Sequence, residues 1–463
     1  MRVMKFGGAA LRDGPAIERS MRLAADSARG GRVLLVVSAA EGVTAQLARA
    51  VEEAVAGRLE PWDALRVRHR SLLAQLGLES DLLDRHLFEL RAILGELKAA
   101  ARAERRMSDY VLSFGERMSA RVAAAVLRRL GSEAAPLDAY DLGLTTASRQ
   151  GEQALLRPPE PALRARLATV PGIPVVTGFL ALDAAGHLTT LGPNGSDLTA
   201  VWFGEAVGAV EVVLWKTVAG FLTADPDVVP EAHLVPLVGR AEAVELAVQG
   251  ADVLHAGALE PAARGAIAVR VADVRHPERP GSLVVAETPR AGPLGIAQRA
   301  GLARYEEALS LGRDHGAQVA ERLAELVAAG LEPTRAAFDG RTLLALVPEG
   351  PRAEAFAQVR GARVRLAGGL GTFAVVGRDA GRDEELARRV LALTAHAGIA
   401  AEPALGGTSP SSQTFVVPAE ALDVAVRAVH AGLFVPEERE IVPQERGPRE
   451  VERVRVPTSA EPQ

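Results

Sequence analysis

TGFLALDAAGHLTTLGPNGSDLTAVWFGEAVGAVEVVLWKTVAGFLTADP, residues 177–226, reads as strand, turn, strand, glycine-rich loop, helix, strand and a second glycine-containing loop. Gly192-Pro193-Asn194-Gly195-Ser196-Asp197 breaks the pattern just after an apolar, β-branched run. From Asp197 the spacing of Leu198, Val201, Trp202 and Phe203 predicts a helix. Glycines let a backbone approach a ligand closely, and the free amides of a helix start favour an anion. The segment therefore reads either as a phosphate-handling edge or as a plain turn with an N-cap.

Upstream, two further strand ends carry small-residue loops. Residues 2–6 form a short strand whose Lys5 runs into Gly7-Gly8-Ala9-Ala10. A lysine so placed points its ammonium at a phosphate resting on loop amides, or else it is a solvated edge residue before a turn. The continuous apolar run at residues 32–37 predicts a buried strand that leads into Ser38, Gly42 and Thr44. Open α/β sheets bind ligands at the carboxyl ends of their strands, so these loops reinforce one another. Residues 47–106 are mostly helical. Residues 108–129 predict another helix, interrupted at Phe114-Gly115-Glu116. A glycine there costs about 1 kcal/mol relative to alanine; close approach of a ligand, with Glu116 beside it, or helix packing would account for it.

Downstream, residues 210–215 predict a strand, 240–250 a helix ended by Gly250, and 267–271 the last strand of this half, followed by a loop at 277–282. Alternating strands and helices indicate one large α/β domain over residues 1–288. The remainder holds an internal repeat. Residues 321–333 are echoed by 388–403, and strands ending in Pro348 and Pro418 follow, each with a helix after it. Residues 373–377 supply a first strand for the second copy. We expect two small α+β units, 289–368 and 369–435, and a poorly ordered charged tail at 436–463.

Composition narrows the chemistry. A chain of 463 residues with 48 % apolar content suffices for several cores. It has no cysteine, which excludes disulfides, thiolate metal sites and cysteine nucleophiles. The nine histidines show no metal-ligand spacing. A net charge of −5 gives no reason to expect nucleic acid. With no run of 18 apolar residues and a strand at the start, we expect no membrane span, no signal peptide and a cytoplasmic protein.

In order along the chain, Lys5-Phe6-Gly7-Gly8, Val37-Ser38-Ala39 with Gly42-Val43-Thr44, Phe114-Gly115-Glu116-Arg117-Met118-Ser119, Gly195-Ser196-Asp197, Thr223-Ala224-Asp225-Pro226 and Val253-Leu254-His255 resemble the aspartate kinases of the amino acid kinase family. The terminal repeat resembles that family's paired ACT domains. The resemblance implies a three-layer αβα sandwich with a mainly parallel open sheet, plus two ACT-like α+β domains. It implies transfer of the ATP γ-phosphate, with Mg²⁺ carried on the nucleotide, to the side-chain carboxylate of L-aspartate or another small amino acid. That reaction opens lysine, threonine and methionine biosynthesis. Lys5 and Asp197 are the implied catalytic pair. Lys5, Gly7, Gly8, Lys216, Thr217, Gly220, Asp225 and Pro226 are implied on the ATP side. Ser38, Thr44, Glu116, Phe179, Gly195 and Ser196 are implied around the amino acid, with Glu116 receiving its ammonium. A homodimer under amino-acid feedback is implied, with effector loops at 312–316 and 406–409.

The chain also departs from the family pattern. Ala9-Ala10 stand where Thr-Ser is usual, Pro193 where an arginine clamps a carboxylate, and Asp252 where a lysine meets the phosphates. Lys216-Thr217-Val218-Ala219-Gly220 replaces Thr-Asp-Val-Asp-Gly, and Asp227 replaces an arginine. The lost phosphate cation is worth roughly 10²–10³ in rate, and the lost carboxylate-clamping arginine a similar amount in binding. These losses leave open a weakened pseudokinase or sensing partner, or a kinase for a different carboxylate. Lys216 is either the replacement cation or a solvated surface lysine.

Overall fold

The computed structural model describes residues 1–146, 159–251, 253–289, 291–310, 314–404 and 409–434. The expected tail at 436–463, the residue Asp252 and parts of both expected effector loops lie outside these described residues.

The first sheet contains β1 (Arg2–Phe6), β2 (Val33–Val37), β3 (Ala134–Leu137) and β4 (Ile173–Thr177). A small hairpin, β5 (Leu180–Leu182) and β6 (Leu188–Thr190), stands apart from it. The sheet continues with β7 (Glu211–Lys216), β8 (Leu237–Gly239), β9 (Ala268–Asp273) and β10 (Ser282–Val285), in the order β3-β4-β2-β1-β7-β9-β10-β8. Its pairs are parallel except β9 with β10.

Side-chain alternation divides the sheet's faces. Val3, Leu34 and Val36 point to one side; Met4, Phe6, Leu35 and Val37 point to the other. The second face is covered by α1 (Gly14–Arg29), α2 (Val43–Val55), α3 (Glu60–Gln75), α4 (Asp84–Ala100) and α5 (Arg105–Arg129). The first is covered by α6 (Ala162–Ala168), α7 (Gly195–Val207), α8 (Arg240–Gln249) and α9 (Leu259–Arg264). This is the three-layer sandwich expected. Helix α7 is buried nearly all round and ends at Gly208, whose φ of 60° permits the left-handed stop.

Three local expectations are corrected. Helix α5 is continuous from Arg105 to Arg129 and is not interrupted at Gly115. A Cβ at Gly115 would lie 2.7 Å from the Ala39 Cβ, so this glycine lets the helix approach the loop after β2 and serves packing. Residues 267–271 do not end the first sheet, because β10 pairs beyond them. The repeat also holds more strand than its sequence shows.

The second sheet is wholly antiparallel. Its strands are β11 (Gly292–Ala308), β12 (Arg335–Phe338), β13 (Thr342–Pro348), β14 (Val364–Arg378), β15 (Glu402–Pro403) and β16 (Ser412–Pro418), ordered β12-β13-β11-β14-β16-β15. With α10 (His315–Ala328), α11 (Pro351–Arg360), α12 (Glu384–His396) and α13 (Leu422–Phe434), the chain runs βαββα twice. The two α+β units meet along the long strands β11 and β14, and the junction expected at 368/369 falls within β14.

The two sheets do not sit on separate cores. Leu294, Ala297, Ala374 and Val376 of the second sheet join the cluster that covers the first. Ala224 and Val229 of the loop after β7 join the core formed by β14, β16, α12 and α13. The Ile296 N–H donates to the Thr223 carbonyl at 2.8 Å. Among the described residues, no helix is long and apolar enough to cross a membrane.

Candidate active site

Strands β2 and β7 flank β1 on opposite sides, which opens a crevice at the carboxyl ends of the strands. A cleft of about 450 Å³ occupies it. The structure brings Lys5, Gly7, Gly8, Ser38, Thr44, Glu116, Phe179, Gly195, Ser196, Lys216 and Thr217 to its walls. Asp197 is fully buried beneath it. Gly220, Asp225 and Pro226 line a second, more apolar cavity of about 250 Å³ instead; Val218 belongs to the walls of both.

Asp197 sits in the first turn of α7, where a carboxylate is favoured by the helix dipole. It does not cap the helix; it holds two lysines. Lys5 Nζ lies 2.6 Å from Asp197 Oδ1, and Lys216 Nζ lies 2.9 Å from Oδ2. Burial pushes the Asp197 carboxyl up, but the two ammonium groups outweigh it and hold the group below the usual carboxylate range. Two cations on one anion leave a net positive floor. Lys216 is therefore an integral part of the site and not a solvated surface lysine. His255 is also half-enclosed nearby. Burial lowers its pKa, the Asp197 charge opposes this, and its Nδ1 accepts the Gly257 N–H at 3.0 Å.

Across the cleft, Glu116 is 3 % exposed and accepts the Ala39 N–H through Oε1 at 3.0 Å. Its Oε2 is buried without a hydrogen-bond partner. Desolvation pushes the carboxyl up to about 8, against the opposing pull of the Ala39 amide and of Lys5. A buried carboxyl with one vacant acceptor is suited to an incoming ammonium.

The loops are fixed by short-range packing. Gly7 already donates its N–H to the Trp215 carbonyl at 3.3 Å, so it does not offer that amide to a phosphate. Its contribution is the missing side chain, since a Cβ there would lie 3.5 Å from Lys5 Nζ. Phe179 has a φ of 66°, uncommon outside glycine. The conformation is held by its N–H, which donates to Thr199 Oγ1 at 3.1 Å, while the Thr199 hydroxyl donates to the Gly195 carbonyl at 3.0 Å.

The departures noted in the sequence also have places. Ala9, Ala10, Pro193 and Asn194 all line the cleft, and among the described residues no arginine does. Sequence reasoning had Ala39 and Val218 inside motifs but gave them no role; the Ala39 amide holds Glu116, and Val218 joins the two cavities. It missed Ile296, Ala297 and Gln298 of β11, which wall the second cavity. These are ordinary apolar or mid-strand residues without a motif.

The chain is similar to known proteins in both sequence and fold. The profile of the amino acid kinase family matches residues 1–273. Aspartokinase 2, chloroplastic, of Arabidopsis thaliana is 34 % identical over 293 residues, which cover 61 % of this chain and 54 % of that protein. Lysine-sensitive aspartokinase 3 of Escherichia coli is 33 % identical over 296 residues, covering 62 % and 64 %. The chain thus spans about half the length of the chloroplast relatives it matches. The crystal structure of E. coli aspartokinase III in complex with aspartate and ADP superposes with a TM-score of 0.79 at 26 % identity, over 94 % of this chain and all of that one. The complex of that protein with lysine and aspartate gives 0.73 at 27 %, with the same coverage. With the profile spanning more than half of its length, the chain belongs to the amino acid kinase family.

Proposed function

We propose that this protein is an aspartate kinase, which transfers the γ-phosphoryl group of ATP to the side-chain carboxylate of L-aspartate and so forms 4-phospho-L-aspartate. The observation that carries the reading is the buried Asp197 holding Lys5 and Lys216 on the cleft floor, with Glu116 opposite. An attacking carboxylate and a triphosphate repel each other, so the site must neutralise charge and align the two. Lys5 and Lys216 supply the positive field, and Asp197 orients them. Glu116 receives the substrate ammonium, while Ser38, Thr44, Phe179, Gly195 and Ser196 enclose the amino acid. Thr217, Gly220, Asp225 and Pro226 form the nucleotide side. The substrate carboxylate oxygen bonds to the γ-phosphorus as the bond to the bridging oxygen breaks, and ADP leaves with that electron pair. No protein nucleophile and no proton transfer is needed.

Among the described residues, no group of three or more His, Asp or Glu side chains is placed to hold a metal ion. Mg²⁺ fits this site as a companion of the triphosphate, held by phosphate oxygens. The wider reading is a kinase unit over 1–288 and two ACT-like units that bind an amino-acid effector, for which the aspartate- and lysine-bound relatives are the support; the homodimer is inferred from the repeat's resemblance to paired ACT domains alone.

The test is an acyl-phosphate trap. Protein, MgATP, L-aspartate and hydroxylamine should yield aspartyl hydroxamate, and Lys5→Ala should lower the yield by about 10² or more. No hydroxamate from the parent protein, with ATP still bound, rejects the reading. A second reading, phosphorylation of a different carboxylate, is favoured by Pro193 and by the absence of arginine among the described residues of the cleft walls. It predicts hydroxamate from another amino acid in the same assay and none from aspartate.

A further inference from the structure

Helix α5 carries a second buried carboxyl, outside the cleft. Asp109 is 4 % exposed and stands two turns before Glu116 on the same face of the helix. Thr190 Oγ1 donates to its Oδ1 at 3.1 Å, and Thr189 Oγ1 donates to its Oδ2 at 3.3 Å. Both threonines belong to β6, so Asp109 ties the β5–β6 hairpin to α5.

That hairpin stands outside both large sheets, and a two-stranded ribbon is barely stable by itself. Yet it bears one wall of the cleft. Phe179 precedes β5, and Gly192 to Ser196 follow β6. The Leu191 N–H donates to the Phe179 carbonyl at 2.9 Å, which closes the base of the hairpin. A Cβ at Gly195 would lie 2.6 Å from the Leu191 Cβ and 3.3 Å from Phe179 Cδ2, so the hairpin base packs on the start of α7. The loop between them turns through left-handed backbone at Gly192 (φ 76°) and Asn194 (φ 56°). Its position is set by its two ends. One end is α7, buried nearly all round; the other is β6, held at Asp109.

We propose that Asp109 is a positioning residue for the amino-acid substrate. It fixes Phe179 and the loop at 192–196 relative to Glu116, because both walls of the pocket hang from one helix. Asp109 is not itself a wall of the cleft, so it acts through the hairpin and not by contact with substrate. The inference deepens the amino-acid side of the kinase function proposed above and rests on it.

The experiment is steady-state kinetics in the hydroxamate assay, with the amino acid that the parent phosphorylates. The full chain is used as parent, Asp109→Ala, Asp109→Asn, Thr190→Val and the Ala/Val double variant, with thermal melts alongside. Asp109→Ala should raise the amino-acid KM about tenfold, while kcat and the KM for ATP stay within about twofold. Thr190→Val should raise the same KM about threefold, and the double variant should match Asp109→Ala, since both act through one contact. Asp109→Asn keeps an oxygen for the Thr190 hydroxyl and should return the KM most of the way to the parent's. If Asp109→Ala does not fold, Thr190→Val carries the test by itself. Variants that melt lower yet keep the parent's amino-acid KM reveal a purely structural tie, which overturns the inference while the kinase reading stands. A KM for ATP that rises in step overturns it too, because the defect is then not confined to the amino-acid wall. A parent that phosphorylates no amino acid removes the kinase reading and this inference with it.

Discussion

A carboxyl sealed against a loop amide, as Glu116 is against Ala39, is neutral over much of the neutral range, because desolvation pushes it up to about 8. An ammonium ligand needs it ionised. Affinity for the amino acid should therefore rise with pH toward about 8, by up to about tenfold per pH unit. Glu116→Gln keeps an acceptor for the Ala39 N–H but should flatten that profile and raise the KM by roughly 10–100-fold. Steady-state kinetics between about pH 6 and 9 checks both. Stability runs the opposite way. Between 4.5 and about 8 the folded chain retains a proton that the unfolded chain has lost, so stability present below 4.5 drains away as pH rises through that window. Glu116→Gln should melt above the parent near pH 8.5 and level with it near pH 4. Asp197→Asn leaves Lys5 and Lys216 without their shared counter-charge, and kcat should fall by about 10²–10³. Much of this site was legible as lysines and glycines at strand ends. The β11 wall of the second cavity, Ile296, Ala297 and Gln298, was not, because residues within a strand carry no motif of their own.

At the scale of elements, the parallel strands β1, β2, β7 and β9 were legible as short, mostly apolar runs, whereas β3, β4 and β8 were not read. Helix α5 was misread because glycine usually weakens a helix, whereas Gly115 here is needed by the neighbouring Ala39 and Leu47. Gly115→Val should push α5 off the loop after β2 and destabilise the protein by about 1–3 kcal/mol. It should raise the amino-acid KM and leave nucleotide binding intact, which kinetics with a thermal melt would separate. The long strands β11 and β14 escaped sequence reading for a different reason. Their pairing shifts register between Pro293 and Gly295 and twice more between Arg299 and Arg304, so inward and outward positions lose the simple period of two.

At the scale of the whole molecule, the two sheets are joined by polar contacts as well as by apolar packing. Glu245 of α8 accepts from Ser412 Oγ at 2.6 Å and lies 3.9 Å from Arg335, whose guanidinium also donates to Thr414 Oγ1 at 2.5 Å. Glu245→Ala removes the carboxylate from this cluster, and differential scanning calorimetry should show a lower melting temperature. Adding Arg335→Met should recover part of the loss, because the guanidinium then no longer needs a counter-charge.

The bond from Ile296 to the Thr223 carbonyl has a practical corollary for anyone who dissects the gene. Thr223 also meets His430 Nε2 at 2.9 Å, so one residue of the loop after β7 is stitched to β11 and to α13 at once. A protease nick between β10 and β11 would cut the covalent thread and leave the halves travelling as one particle on gel filtration. A fragment expressed only to residue 288 would never acquire that partner. It would emerge with Phe221, Leu246 and a bare carbonyl facing water, as an aggregating piece and not a miniature enzyme.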